Sequence, residues 1–278
     1  NPSLVGSEMC IRDRIDIVCT INEANLTACF AHSFPSYPEH GMKSIMPFIK
    51  EAAEECGSTL ENFGPFLFGH PFKIRDCMME AHVKSVPIIK SILKNNQPVG
   101  VTLSIMDYQA TEDGEEMRDK AYAESVDCCL DQIINDDFVG VQMYTRHTYG
   151  PDGIIKPRSD DPNMLVMGYE YYPESLENVV RYVASKIKTP IMITENGIGT
   201  DDDNQRIEYL TTALQGLQNC LDDGIDVRGY FCWSLLDNFE WLFGYKPRFG
   251  LVEVNRETLD RTAKESFKFF KNVIDQSS

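Results

Sequence analysis

The sequence has no long apolar segment. None of its hydrophobic runs approaches the roughly 18 residues that cross a bilayer as a helix. The first fourteen residues, NPSLVGSEMCIRDR, also lack the apolar centre of a secretory signal peptide. We therefore expect neither a membrane-spanning protein nor a membrane partner.

Basic side chains are scarce as well. Lys and Arg total 26 against 43 Asp and Glu, which gives a formal net charge of −17. A surface of this sign repels nucleic-acid phosphates and anionic lipids. We expect a neutral or cationic small-molecule ligand and no nucleic acid.

Paired or clustered cysteines are also missing. The nine cysteines are odd in number and form no CxxC pair or metal-like spacing with histidine. They are Cys10, Cys19, Cys29, Cys56, Cys77, Cys128, Cys129, Cys220 and Cys232. The pattern predicts free thiols in a reducing compartment, the cytoplasm, and predicts no metal site and no cofactor.

What the chain does contain is a repeated alternation of two patterns. Short apolar runs typical of strands lie at 15–21, 98–105, 138–144, 190–194 and 227–235. Segments with helical spacing of apolar residues lie at 75–94, 120–134, 173–187, 205–221 and 257–275. This alternation predicts an α/β fold with a parallel sheet. Periodicity alone does not distinguish an open doubly wound sheet from a barrel.

Polar and aromatic groups follow four of the five predicted strands. They are Asn22, Glu23, Gln142, Tyr144, Thr194, Glu195 and Trp233. A buried ionised carboxylate is costly unless it is hydrogen-bonded or solvated. Two carboxylates at matching strand ends therefore predict one shared polar cavity, although either glutamate alone is equally compatible with a solvated loop.

Four motifs together resemble the family 1 glycoside hydrolases, the β-glucosidase and β-galactosidase family. They are TINEA at 20–24, ITENG at 193–197, WSLLDNFEW at 233–241 and GYKPRFGLV at 244–252. The resemblance runs from about Ile15 to about Phe270. It implies a retaining glycosidase on a (β/α)₈ barrel.

The same resemblance implies roles for individual residues. Glu195 matches the nucleophile, Glu23 matches the general acid/base, and Tyr144 matches the tyrosine that hydrogen-bonds the nucleophile. The implied substrate-binding residues are Asn22, Gln142, Trp233, Glu240, Trp241 and Phe249. A retaining mechanism needs one ionised and one protonated carboxyl, which these assignments would supply.

The chain also departs from the family pattern. Ala24 stands where the family has proline, Gln142-Met143-Tyr144 replaces Asn-Tyr-Tyr, and Tyr169 replaces a tryptophan. With the fourth-strand motif at Glu23, the first three βα units and their sugar-binding glutamine and His-Trp pair are absent. We therefore expect an incomplete barrel of about the last five βα units, formed by residues 15–278.

Residues 1–14 resemble no part of the family pattern. We expect them to be a non-native or disordered leader, and a genuine divergent amino terminus is the alternative. An incomplete sheet has unpaired outer strands that can pair with other chains. We therefore expect a homo-oligomer.

Two functions follow from these observations. The first is a retaining β-glucosidase-like enzyme with broad sugar specificity and low activity, acting on terminal β-linked sugars. The alternative is a catalytically inactive barrel fragment that binds a sugar or an apolar ligand.

Overall fold

The computed structural model describes residues 15–33, 40–60, 62–63, 70–158, 160–241 and 243–277. The predicted leader, residues 1–14, lies outside the described residues. Within the described ranges, no helix is long and apolar enough to cross a membrane.

A five-stranded parallel sheet forms the centre of the structure. Its strands are β1 (Val18–Cys19), β2 (Val99–Ser104), β4 (Phe138–Gln142), β7 (Ile191–Asn196) and β8 (Val227–Cys232). They lie side by side in chain order, and every neighbouring pair is parallel. This curled sheet confirms the predicted incomplete barrel. All residues of β2 and β4 are buried, as expected for strands covered on both faces.

The predicted strand bounds needed correction at both outer strands. Only Val18 and Cys19 of the run at 15–21 pair with β2, and the run at 227–235 ends as a strand at Cys232. Conversely, β7 continues past the predicted 190–194 to Asn196. Glu195 is therefore part of the strand and not of the loop that follows it.

Helices connect the strands. They are α1 (Leu26–Ser33), α2 (His40–Glu55), α3 (Pro71–Ile92), α4 (Glu115–Tyr122), α5 (Cys128–Leu130), α6 (Ser175–Lys186), α7 (Asp203–Asp222) and α8 (Glu265–Ser277). The segment predicted as one helix at 120–134 is interrupted by a π turn at Ala123–Asp127, between α4 and α5. Helices α1 and α2 were not predicted.

Two small sheets complete the fold. Strands β3 (Asp107–Ala110), β5 (Arg146–Gly150) and β6 (Gly153–Ile154) form a three-stranded sheet in that order. Strands β9 (Val252–Val254) and β10 (Arg261–Ala263) form an antiparallel pair. The prediction of helix throughout 257–275 is therefore wrong for its first half, because Arg261–Ala263 pairs with β9 and the helix begins at Glu265.

Gly140, in the middle of β4, lies close to side chains of both neighbouring strands. A Cβ on Gly140, in the middle of β4, would lie 2.7 Å from Thr102 Cγ2 and 3.0 Å from Thr194 Cγ2. The two threonines therefore occupy the space that a side chain at 140 would need. Gly140 therefore allows side chains of β2 and β7 to pack against the backbone of β4.

Candidate active site

Glu195 lies near the carboxyl end of β7, and two side chains donate hydrogen bonds to it. The Tyr144 hydroxyl donates to Oε2 at 2.5 Å, and the Gln142 amide donates to Oε1 at 2.8 Å. Both donors come from the end of the neighbouring strand β4 or the residues just after it. Donors to both oxygens favour the ionised form of a carboxyl group.

The side chain of Asn196, the residue after Glu195, anchors the end of β7. Asn196 is fully buried, and its amide donates to Met143 O at 2.9 Å and to the Tyr209 hydroxyl at 3.0 Å. The side-chain oxygen Oδ1 of Asn196 accepts from the Tyr230 hydroxyl at 2.9 Å. These bonds join β7 to β8, to α7 and to the residue that follows β4, so the chain next to Glu195 is held in place.

Glu23 lies in the turn between β1 and α1 and has a positive φ of 47°. Its backbone N–H donates to the Thr102 hydroxyl at 3.0 Å, and the Ala24 N–H donates to Thr102 O at 3.2 Å. A proline at position 24 could not make the second bond, because it has no N–H. The hydrogen bond from the Ala24 N–H therefore holds the Glu23–Ala24 peptide, at the position where the family has proline.

Asn25 fastens this turn to β2. Its side chain is fully buried and bonds the backbone of Ser104 twice, accepting from its N–H and donating to its carbonyl, each at 2.8 Å. The amide also donates to Ser125 O, in the π turn, at 2.8 Å. The loop that carries Glu23 is therefore tied to β2 and to the π turn between α4 and α5.

One amide group joins the two halves of the site. Gln142 Nε2 donates to Asn22 Oδ1 and to Glu195 Oε1, both at 2.8 Å. Asn22 also accepts from the Thr102 hydroxyl at 3.2 Å. The residue just before Glu23 is therefore connected to Glu195 through a single side chain.

Burial and charge set the protonation of the two carboxyl groups. Burial, and then the charge of Glu195, raise the pKa of Glu23 to about 8, and Glu240 adds to this while a hydrogen bond from Ser104 opposes it. Burial also raises the pKa of Glu195, against the hydrogen bond from Tyr144. Because the negative charge of Glu195 disfavours ionisation of Glu23, Glu23 is the carboxyl group that keeps its proton near neutral pH.

Glu240 lies near this pair, in the loop after β8. It accepts hydrogen bonds from the Trp233 indole at 3.3 Å and from the Asn238 amide at 2.7 Å, both on Oε1. Its negative charge contributes to the raised pKa of both Glu23 and Glu195, so Glu240 lies close enough to act on both carboxyl groups. Both bonds use Oε1, which leaves Oε2 as the oxygen with which Glu240 could accept a ligand hydroxyl.

The remaining predicted residues have different environments. Trp241 is 87% exposed, and its indole contacts Phe239 edge-on at 6.4 Å between ring centroids. Phe249 is 2% exposed and packs edge-on against the Tyr144 ring at 6.0 Å. The centroid of the Tyr169 ring lies 6.5 Å from that of the same Tyr144 ring. Phe249 is therefore a buried packing partner of Tyr144, and Trp241 is open to solvent.

Sequence reasoning missed Thr102, Ser104 and Asn25. All three are polar and buried, and two of them interrupt the apolar run of β2. Polar residues within an apolar strand, opposite a predicted catalytic turn, were the pattern that could have identified them. In the described part of the chain, no group of three His, Cys, Asp or Glu residues could hold a metal ion.

Known proteins resemble the chain in sequence and in structure. The profile of the family described as "Glycosyl hydrolase family 1" matches residues 155–278. A bifunctional β-D-glucosidase/β-D-fucosidase of Bifidobacterium breve is 42% identical over 122 residues, which are 39% of this chain and 26% of that protein. β-Glucosidase A of Thermotoga maritima is 36% identical over 152 residues, or 50% of this chain and 34% of that protein.

Solved structures match over nearly the whole chain. The β-glycosidase BGL167 superposes with a TM-score of 0.84 at 38% identity, covering 95% of this chain and 63% of that one. The β-glucosidase 1317 superposes with a TM-score of 0.82 at 33% identity, covering 99% of this chain and 67% of that one. The matched part thus spans about a quarter to a third of the two curated relatives and about two thirds of the solved structures. With the family profile, the shared barrel strands and these relatives in agreement, the chain belongs to glycosyl hydrolase family 1.

Proposed function

We propose that the chain carries the catalytic pair of a retaining β-glycosidase, with Glu195 as the nucleophile and Glu23 as the general acid/base. The observation that carries the proposal is the contrast between the two carboxyl groups. Glu195 accepts hydrogen bonds on both oxygens, whereas burial and the Glu195 charge raise the pKa of Glu23 to about 8. One group is prepared to attack and the other to donate a proton.

The reaction would proceed in two displacements. Glu195 attacks the anomeric carbon while Glu23 gives its proton to the departing glycosidic oxygen, which leaves a glycosyl ester on Glu195. Glu23, now ionised, takes a proton from water. The resulting oxygen nucleophile attacks the same carbon, so the sugar leaves with its original configuration and Glu195 is regenerated.

The polar groups around the pair favour an uncharged sugar. Asn22 and Glu240 offer hydrogen-bonding atoms for hydroxyl groups, and Trp233 offers a flat apolar ring. Glu240 adds negative charge to a cavity that already holds two carboxyls, which disfavours anionic sugars. We propose terminal β-glucosides and related β-glycosides as the substrate class, with broad sugar specificity and low turnover.

Covalent labelling tests the proposal. A 2-deoxy-2-fluoro β-glucoside with a good leaving group should form a stable ester with Glu195, located by peptide mapping in a mass spectrometer. Glu195→Gln should abolish the label and the turnover of an activated aryl β-glucoside. Glu257→Gln, which changes an exposed carboxylate beyond β9, is the matched control and should leave both intact. An ester on another carboxylate, or a product of inverted configuration, would contradict the assignment.

A further inference from the structure

Two adjacent thiols lie where the π turn meets α5. Cys128 and Cys129 have their Sγ atoms 4.0 Å apart. Cys128 is partly exposed, whereas Cys129 is completely buried. Neither residue contributes to the proposed glycosidase reaction, so the pair has no role in the site described above.

The two thiols are chemically unequal. The hydrogen bond from Cys129 lowers the pKa of Cys128, and the charge of the Arg75 guanidinium adds to this effect against burial. The same hydrogen bond, followed by burial, raises the pKa of Cys129. Cys128 therefore carries the more accessible and more nucleophilic sulfur, with a proton-bearing thiol beside it.

Most of the other described cysteines differ from Cys128 in the direction of their pKa shift. Burial raises the pKa of four of them, namely Cys19, Cys29, Cys220 and Cys232. Nucleophilic attack and coordination of soft centres both require a thiolate. Cys128 is therefore favoured among these thiols as the first point of reaction.

The backbone disfavours a direct disulfide between the pair. Neighbouring Cα atoms are about 3.8 Å apart, whereas the Cα atoms of ordinary disulfides are about 4.4 to 6.8 Å apart. A single atom inserted between the sulfurs relieves this mismatch, because each sulfur then bonds the inserted atom and not its neighbour. The described residues offer no third His, Cys, Asp or Glu ligand at the pair, so the inserted centre must accept two protein ligands.

We propose that Cys128 and Cys129 form a dithiol site that binds a trivalent arsenical, with one arsenic atom bridging both sulfurs. With an organic arsenoxide, two S–As bonds form and the As–O bond is broken. The two thiol protons leave with that oxygen as one water molecule. Arsenic remains trivalent, so the step needs no oxidant or reductant.

Phenylarsine oxide is the probe that tests this site. One equivalent added to the folded chain should increase the intact mass by one phenylarsine oxide minus one water. The far-UV circular dichroism should stay that of the untreated protein. Cys128→Ser and Cys129→Ser should each abolish the bridged adduct, whereas Cys77→Ser, which changes an exposed cysteine on α3, should retain it.

Mapping on the unmutated chain keeps the test valid if a serine variant fails to fold. After arsenical binding, the other thiols are blocked with iodoacetamide in denaturant, the arsenic is removed with excess dithiol, and the released thiols are labelled with N-ethylmaleimide. The second label should appear on Cys128 and Cys129 together. Its appearance on another pair, or persistence of the bridged adduct in both serine variants, would overturn the proposal.

Discussion

The Thr102 hydroxyl accepts the backbone N–H of Glu23 at 3.0 Å, so a residue on β2 fixes the turn that carries the proposed acid/base. The same hydroxyl reaches Asn22. Thr102→Val keeps the shape of the side chain but removes these hydrogen bonds. At about 0.5 to 1.5 kcal/mol per bond, we expect a loss of roughly 2- to 10-fold in kcat/KM per bond removed.

The loss should depend on the leaving group. An aryl glycoside with a poor leaving group needs the proton from Glu23 and should lose more than an activated one. Thr102→Ser keeps the hydroxyl and serves as the matched control, with kcat/KM close to that of the unmutated chain. An equal loss for both substrate classes in Thr102→Val would show that the threonine acts on overall stability only.

Removal of the acid/base itself should produce a larger asymmetry. We expect Glu23→Ala to slow substrates with poor leaving groups by about 10²- to 10⁴-fold, the usual contribution of general acid catalysis. Activated aryl glycosides should be much less affected in the first displacement, and azide should rescue their turnover by replacing water. A rate unaffected by azide, with equal losses for all substrates, would contradict the role of Glu23.

Stability should fall between pH 4.5 and pH 8 because of Glu23. Its pKa is raised from 4.5 to about 8, chiefly by burial, so the folded state prefers the protonated form. This stabilising contribution is fully present below pH 4.5. As the pH rises, the unfolded chain loses the Glu23 proton before the folded chain does, so the free energy of unfolding decreases. It is lost once the pH passes 8. Urea unfolding across this range should show a decline that Glu23→Gln flattens by up to about 1.4 kcal/mol per pH unit. An unchanged slope in this variant would contradict the raised pKa.

The Tyr144 hydroxyl should govern the acidic limb of the activity profile. Its hydrogen bond lowers the pKa of Glu195 and so opposes the effect of burial. In Tyr144→Phe the pKa of Glu195 should rise further, and the pH at which kcat/KM declines in acid should move upward. Tyr169→Phe retains the Glu195 hydrogen bond and is the matched control. A profile unmoved by Tyr144→Phe would show that the nucleophile titrates independently of this contact.

Self-association of the 278-residue chain stays a prediction. In the described residues, the outer strands β1 and β8 each have one pairing neighbour, and Phe231 on β8 is 54% exposed. We propose that copies of the chain cover this edge. Sedimentation at increasing concentration should show oligomers, which Phe231→Lys should weaken. Ile134→Lys, at a site 56% exposed and outside the five-stranded sheet, should leave them unchanged. A concentration-independent monomer would contradict the proposal.

The sequence predicted the central sheet well because its strands are buried on both faces. Mostly apolar runs such as Val99–Ser104 and Phe138–Gln142 have few alternatives to a core strand. Helix α1 was missed because LTACFAHS is short and mixes alanine, cysteine and small polar residues without a clear apolar stripe. The segment 257–275 was misassigned because Arg261–Ala263 becomes a strand only by pairing with β9, a partner that local periodicity does not contain.

The sequence could predict members of the candidate site but not the contacts between them. Glu23, Glu195 and Tyr144 lie at strand ends within distinctive motifs. The supporting contacts depend on which atoms meet across strands, as in the double hydrogen bond from Gln142 to Asn22 and Glu195. The two hydrogen bonds that Thr102 accepts from the Glu23 and Ala24 N–H groups likewise cannot be read from a linear pattern.

Gly140 leaves room for side chains of the neighbouring strands next to β4. Because it has no Cβ, the side chains of Thr102 and Thr194 can both occupy the space next to β4 that a larger residue at this position would fill. Thr102 in turn carries the Glu23 turn, and Thr194 directly precedes Glu195. A side chain at position 140 would therefore press on the neighbours of both proposed catalytic groups at once, so a substitution at this one position would disturb Glu23 and Glu195 together.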